Sequence, residues 1–402
     1  MPPARLQVLQ GKAELAKDRV YLDWNATTPL RPEAQAVMVA AWDLAGNPSS
    51  VHTEGRQARR TVEDARAAVA GALGEDSRNV IFTSGGTEAN VLALTPGLVR
   101  NPGAAVRRLI VSAVEHASVL AGGRFAAEDL QVLGVDRDGV VKPDELRALL
   151  ADGKPALVSV MLANNETGAL QPIPELAAIV HDAGGLLHVD AVQAFGKIPI
   201  NIKLLQADLL SISAHKIGGP KGIGALVLAN GVAGLNALLS GGGQELGRRA
   251  GTENVPGIAG FGAAVTAAIA SLDDMKRVDE LRQRLEAGLR QSSNGLVFAQ
   301  DVPRLPNTVL FGAPGLRAET AVIGFDLEGI AVSSGSACSS GKVQPSHVLE
   351  AMGFGPELTR GAVRLSLGWS TTEADVDRCL EAWRKLSGTL LKHSDETQLE
   401  RF

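Results

Sequence analysis

Residues 209–222 read LLSISAHKIGGPKG: an apolar run, then His215 and Lys216, then a glycine-rich turn. A short apolar run closed by such a turn reads as a buried strand. Lys216 then stands just past the strand's end, where apolar surroundings would lower its pKa and free the amine to form a Schiff base. On spacing alone, a solvated loop lysine is the favoured reading. The same design recurs at 80–82, 109–111, 157–161 and 186–189, with helical patterns such as 174–183 between the runs. Strands alternating with helices imply an α/β fold with a largely parallel sheet covered on both faces. Polar clusters follow these strands: SGGTEAN, EHAS, NNETG, DAVQ and SAHK. Ligands of open α/β sheets bind beyond the carboxyl ends of the strands, so the five clusters predict one assembled site.

The chain has 402 residues, 45% of them hydrophobic and 21% charged, which is the composition of a soluble globular protein with room for two domains. A net charge of -5 with scattered Lys and Arg argues against nucleic acid as a partner. Two cysteines make no disulfide framework and point to a reducing compartment. The first twenty residues carry charges throughout and lack the apolar core of a signal peptide. Residues 254–272 are uncharged, but Pro256 and the many Gly and Ala residues favour a close-packed internal helix over a membrane span. The expectation is a cytoplasmic protein with no membrane partner.

Around Asp273 the character changes. SLDDMKRVDELRQRLEAGLRQ places Met275, Val278, Leu281, Leu285 and Leu289 at helical spacing, and shorter strand candidates follow at 307–311 and 363–367. This predicts a large domain over 26–272 and a smaller α+β domain from 1–25 and 273–402. The polar end HSDETQLERF is expected to fray.

Common nucleotide signatures are missing. No G-x-x-x-x-G-K-[ST] occurs, and Gly222-Ile223-Gly224 lacks a third glycine and runs into a strand. SGGTEAN (84–90) instead follows a strand and opens an apolar helical run. Free N–H groups at that helix start, with the Thr87 hydroxyl, would seat a phosphate. A plain helix capped by Ser84 or Thr87 is the competing reading. Asp190 ends the strand 186–189 and suits a pyridinium nitrogen, or caps the next helix. Gln193 lies within reach of the same ligand, and His116 could lie flat against a ring. A phosphate seat, an amine nucleophile, an acid for a ring nitrogen and a ring-facing imidazole together describe a pyridoxal phosphate pocket.

With these residues in view, the chain resembles the cysteine desulfurases of the class V aminotransferase group, in fold type I of the pyridoxal phosphate enzymes. The matching segments are YLDWNATTPL (21–30), GNPSSVHTEGRQAR (46–59), FTSGGTEAN (82–90), EHASV (115–119), NNETG (164–168), HVDAVQAFGK (188–197), SISAHKIGGPKGIG (211–224), GGGQELGRRAGTENV (241–255), SSGSACSSG (333–341) and VRLSLG (363–368). RRAGTEN and CSSGKVQPSHVL look closest to the nitrogen-fixation branch rather than the housekeeping one.

The resemblance implies a seven-stranded, mostly parallel sheet in the large domain and a smaller α+β domain carrying the cysteine loop. It implies that Lys216 holds pyridoxal phosphate, that His116 stacks on its ring, that Asp190 pairs with the ring nitrogen and that Gln193 bonds the phenolic oxygen. Gly86, Thr87, Ser213 and His215 would hold the phosphate. Thr252 would reach the phosphate of a neighbouring subunit, which implies a homodimer. Asn165 would lie beside cofactor and substrate, and Arg364 would grip the substrate carboxylate. Lys216 would move the Cα proton of L-cysteine, and the Cys338 thiolate would attack the substrate sulfur, keeping a persulfide and releasing alanine. His116 is one candidate to deprotonate Cys338; the substrate's surroundings are another. The Ser and Gly residues around Cys338 imply a mobile loop over 333–341 that hands the sulfur to an iron–sulfur scaffold or another acceptor protein. No intrinsic metal site is implied, although Cys338 could share an iron–sulfur cluster with a scaffold. Cys379 lies in a helical pattern and reads as structural.

Two departures stand out. Ser339 replaces the threonine usual after the cysteine, and the polar tail does not match the housekeeping branch's docking tail. The alternatives are a selenocysteine lyase or another class V aminotransferase, and a non-catalytic partner that keeps the fold. SSGSAC argues against the selenocysteine lyase, and the intact Lys216, Asp190, His116, Arg364 and Cys338 argue against the last.

Overall fold

The computed structural model describes residues 19–100, 103–291, 295–335 and 344–391. Seven strands form its main sheet: β1 (Val80–Thr83), β2 (Arg108–Ser112), β3 (Leu130–Leu133), β4 (Ala156–Met161), β5 (Leu186–Asp190), β6 (Leu209–Ser213) and β7 (Gly224–Leu228). Their order is β1-β7-β6-β5-β4-β2-β3, and within it β7 runs against β1 and β6 while the other pairs are parallel. Every residue of β1, β4, β5, β6 and β7 is buried, which is why these strands read as continuous apolar runs. The edge strand β3 exposes Gln131 and Val132, and its weak pattern left it out of the sequence reading.

His188 sits mid-sheet in β5. Its ring bridges Ser159 of β4 (2.8 Å) and Ser211 of β6 (2.9 Å), and burial pushes its pKa down to about 3. The imidazole is therefore a neutral cross-strand tie. His188→Ala should leave both hydroxyls unpaired beside a cavity and cost about 2–4 kcal/mol, read by urea unfolding at pH 7. Because the folded value lies below the ordinary 6.5, the unfolded chain binds the proton first. This stability is complete above pH 6.5 and is lost as pH falls from there toward about 3, a component that His188→Ala should lack.

The uncharged segment forms the helix Val255–Ala270, capped by the Asn254 side chain accepting from the Gly257 N–H. It packs against the helices Pro32–Trp42 and Thr53–Leu73. A Cβ on Gly260 would lie 2.5 Å from Met38 Cγ, and one on Gly262 would lie 2.7 Å from Ala65 Cα. Its small residues thus serve close packing. Among the described residues no single helix is long and apolar enough to cross a membrane.

A second core gathers Met275, Val278, Leu281, Leu285 and Leu289 of the helix Met275–Gln291 around an antiparallel sheet. Its strands are β8 (Leu296–Val297), β9 (Thr308–Gly312), β10 (Ser333–Ser334) and β11 (Val363–Ser366), in the order β8-β9-β11-β10. Val20 and Leu22 join this core, and Val20–Tyr21 pairs in parallel with Ile330–Ala331. Trp383 meets Phe311 edge-on at 4.9 Å. Cys379 is fully buried nearby, where burial pushes its thiol up to about 12 and keeps it protonated. Asn25 follows this N-terminal strand and enters the space between the two cores.

Candidate active site

The parallel strands β1, β2, β4, β5 and β6 deliver their carboxyl ends to one edge of the sheet. There a cavity of about 380 Å³ opens, a volume suited to a small cofactor with substrate. Lys216, Asp190, Gln193, His116, Asn165 and Arg364 line it, together with Gly86, Thr87, Ser213 and His215. Thr252 is exposed and does not line it. Cys338 and residues 336–341 of its expected loop lie outside the described residues. Ser333 and Ser334, also expected in that mobile loop, are instead buried and paired with Arg364 and Val363 of β11, so the loop begins after them.

Lys216 closes a single helical turn, Ala214–Lys216, directly after β6. Gly218 has φ +87°, and a Cβ there would press on Arg31 and Trp369, so glycine lets the chain turn back under the site. The Lys216 amine donates to the backbone carbonyls of Asn25 and, at 3.0 Å, Ala26.

At the opposite end the helix Gly86–Ala93 starts straight after β1, with no side chain capping it. Neither Ser84 nor Thr87 is the cap. The Ser84 N–H donates instead to Glu88 (2.8 Å), whose carboxylate also holds Arg249 at 3.0 Å. A Cβ on Gly86 would meet Val192 Cγ2 at 2.8 Å, so only glycine lets this backbone lie against the cavity wall. Such an uncapped helix start, flanked by Ser213 and His215, offers donors to an anion. Burial, reinforced by Lys216 and Lys221, pushes His215 down to about 4, so it acts as a neutral imidazole. Its Nδ1 lies 3.2 Å from Thr27 Oγ1.

Asp190 is buried at the mouth of β5. One carboxylate oxygen accepts from the Val192 N–H (2.9 Å) and the other from Asn90 Nδ2 (2.7 Å). The same Asn90 nitrogen donates to Ser118 Oγ (2.9 Å), which lies 2.8 Å from His116 Nδ1. One buried amide thus spaces the acid and the imidazole. The His116 pKa is lowered by burial, against the pull of Asp190 and with help from Lys216 and His347, which favours the neutral ring.

Arg364 comes from β11 in the second core. Its Nη2 pairs with Asp23 (2.9 Å), its Nη1 donates to the Asn165 carbonyl (3.1 Å), and its Nε is buried with no partner among the described residues. Close by, Glu166 accepts from Ser346 Oγ (2.6 Å), and burial raises its pKa to about 7.

Sequence reasoning assigned no role to Asp23, Asn25, Asn90 or Lys197. All four stand in segments already singled out, YLDWNATTPL, FTSGGTEAN and HVDAVQAFGK, but nothing in their spacing said which polar residue turns inward.

The aminotransferase class-V family model matches residues 20–379, and the chain belongs to that family. It is 42% identical over 376 residues to the cysteine desulfurase IscS of Dictyoglomus turgidum, covering 92% of this chain and 95% of that one. Among solved structures it resembles a NifS-like protein of Rickettsia africae, with a TM-score of 0.84, 37% identity, and coverage of 92% of this chain and 100% of that one. It also resembles SspA in complex with cysteine, with a TM-score of 0.71, 30% identity, and coverage of 87% and 98% respectively.

Proposed function

We propose that the chain is a cysteine desulfurase that uses pyridoxal phosphate to take sulfur from L-cysteine. The observation that carries this reading is a single cavity bounded by an amine (Lys216), a buried carboxylate (Asp190), a neutral imidazole (His116) and an uncapped helix start (Gly86). That donor set fits the cofactor. Lys216 would hold its aldehyde carbon, and Asp190 its ring nitrogen. Thr87, Ser213 and His215 would join the Gly86 backbone in holding its phosphate, with Thr252 of a second copy in a homodimer. Bound there, pyridoxal phosphate supplies an electron sink for reaction at the substrate Cα.

The chain's own groups do the rest. Arg364 fixes the substrate carboxylate, with Asn165 beside it. Lys216 is placed to move the Cα proton. The Val192 N–H and Asn90 Nδ2 hold the Asp190 carboxylate in place, where it would face the ring nitrogen. Cys338 receives the sulfur as a persulfide and passes it to an acceptor protein, such as an iron–sulfur scaffold, in the cytoplasm. Residues 26–272 would form the cofactor-binding domain, with 1–25 and 273–402 forming the smaller one.

The test is to incubate purified protein with L-cysteine and a reductant and to measure alanine and sulfide. Both should form in equal amounts, and Cys338→Ala should stop sulfide while leaving the cofactor bound. Cofactor-loaded protein that makes neither product would refute the reading. Selenocysteine cleavage that survives in Cys338→Ala, without desulfuration by the intact protein, would favour a lyase.

A further inference from the structure

We infer that Lys197 is a positioning residue: it fixes the side-chain amide of Gln193 so that an N–H, not the oxygen, is presented to the cavity. The inference rests on the cofactor reading above and concerns a residue outside the cavity lining.

Lys197 is only 7% exposed, an unusual place for a lysine. The turn that carries it inward depends on Gly196, whose φ is +73° and whose Cβ would lie 2.7 Å from Ile217 Cγ2. The Lys197 Nζ donates to Gln193 Oε1 at 3.0 Å and to Asn25 Oδ1 at 2.8 Å. Facing the Lys197 nitrogen, the Gln193 amide presents its oxygen. That acceptor is required by an ammonium, which has donors only, and equally by a neutral amine donating its two N–H groups to Gln193 and Asn25. Gln193 Oε1 is therefore pinned away from the ligand. Its Nε2 carries two protons; the Asn25 carbonyl takes one at 2.9 Å, and the other is available to a group in the cavity that Gln193 lines.

Asn25 is locked from the same side. Its Oδ1 accepts from Lys197 and from Asn307 Nδ2 (3.1 Å), while its Nδ2 donates to Thr308 Oγ1 (2.8 Å). Its backbone carbonyl accepts from Gln193 Nε2, so a fixed Asn25 also holds the Gln193 amide in its orientation. The two hydrogen bonds from Lys197 require two N–H groups, which even the neutral amine retains. Burial, with Lys216 and Arg364 nearby, does push its pKa well below the ordinary value.

A donor aimed at the cofactor's phenolic oxygen favours the state with more negative charge there. That state is reached as the lysine linkage loses its proton with rising pH. Removing the donor, or letting the amide flip, should therefore raise the pH midpoint of the bound cofactor's visible absorbance. The experiment titrates that absorbance in wild type, K197M, Q193A and the double variant, all loaded with pyridoxal phosphate. K197M and Q193A should each raise the midpoint by about one pH unit. The double variant should shift no further than Q193A alone, because Lys197 acts through Gln193. Thermal melting of the cofactor-free proteins checks the fold. If K197M does not fold, K197Q, whose polar side chain stops short of Gln193, replaces it with the same expected shift. An unmoved midpoint in the lysine variant, or shifts that add in the double variant, overturns the role of Lys197. A wild-type protein that develops no visible band with pyridoxal phosphate overturns the cofactor reading and this inference together, so the two failures are told apart by the wild type.

Discussion

Lys216→Ala is expected to lower the rate of alanine and sulfide formation from L-cysteine by about 10⁴-fold or more, while the cofactor-free protein keeps its fold. A positioned proton-transfer group alone contributes about 10²–10⁴-fold, and this side chain is also the proposed covalent anchor. Lys216 is the one lysine among the described residues that line the cavity, so no neighbour can take over its work. Its Nζ rests on the Asn25 and Ala26 carbonyls, which face the cavity side and can take water once the amine is gone. The fold should therefore tolerate the change, as circular dichroism and melting would show. Lys216→Arg should not restore activity, since a guanidinium neither forms the linkage nor gives up a proton near neutral pH. Retention of more than about a tenth of wild-type turnover in Lys216→Ala would contradict the assignment, given the size of the expected proton-transfer contribution.

Arg364→Ala is the second large effect, expected to lower kcat/KM for L-cysteine by about 10²-fold without displacing the cofactor. Hydrogen bonds to a charged partner are worth about 1.5–3 kcal/mol, and the loss falls on substrate capture. The guanidinium is held rigidly by Asp23 and the Asn165 carbonyl, which leaves its buried Nε edge for a further acceptor. Such a fork is built for a carboxylate. Arg364→Lys keeps the charge but not the planar pair of donors, so it should recover little of the loss. The cofactor absorbance should match wild type in both variants. A kcat/KM within about threefold of wild type for Arg364→Ala would remove Arg364 from the substrate site, since even one lost charged hydrogen bond costs more than that.

Much of this arrangement was legible before any coordinates. Strands buried on both faces betray themselves as unbroken apolar runs, and β4, β5 and β6 were readable for that reason. Parallel strands end at a common edge, so the polar residues after each run could be expected to meet, and Lys216, Asp190, Gln193 and His116 do line one cavity. The edge strand β3 was not legible, because a half-exposed strand carries too little apolar pattern. At the start of the helix Gly86–Ala93 the sequence left two readings, free N–H groups or a cap by Ser84 or Thr87. The structure has no side-chain cap there, and Glu88 bonds the Ser84 N–H and Arg249 instead.

By itself the sequence determined the α/β alternation, the set of chemical groups at the strand ends and the likeness to a family. Which polar side chain supports which was decided by tertiary structure alone. Asn25 meets Lys197 across 172 residues and Thr308 across 283, while Asn90 reaches Asp190 across 100. Those contacts arise because the N-terminal strand belongs to the second core and delivers Asn25 against the carboxyl edge of the first sheet. A buried amide or amine must find partners wherever packing brings them, and no local pattern records who they will be.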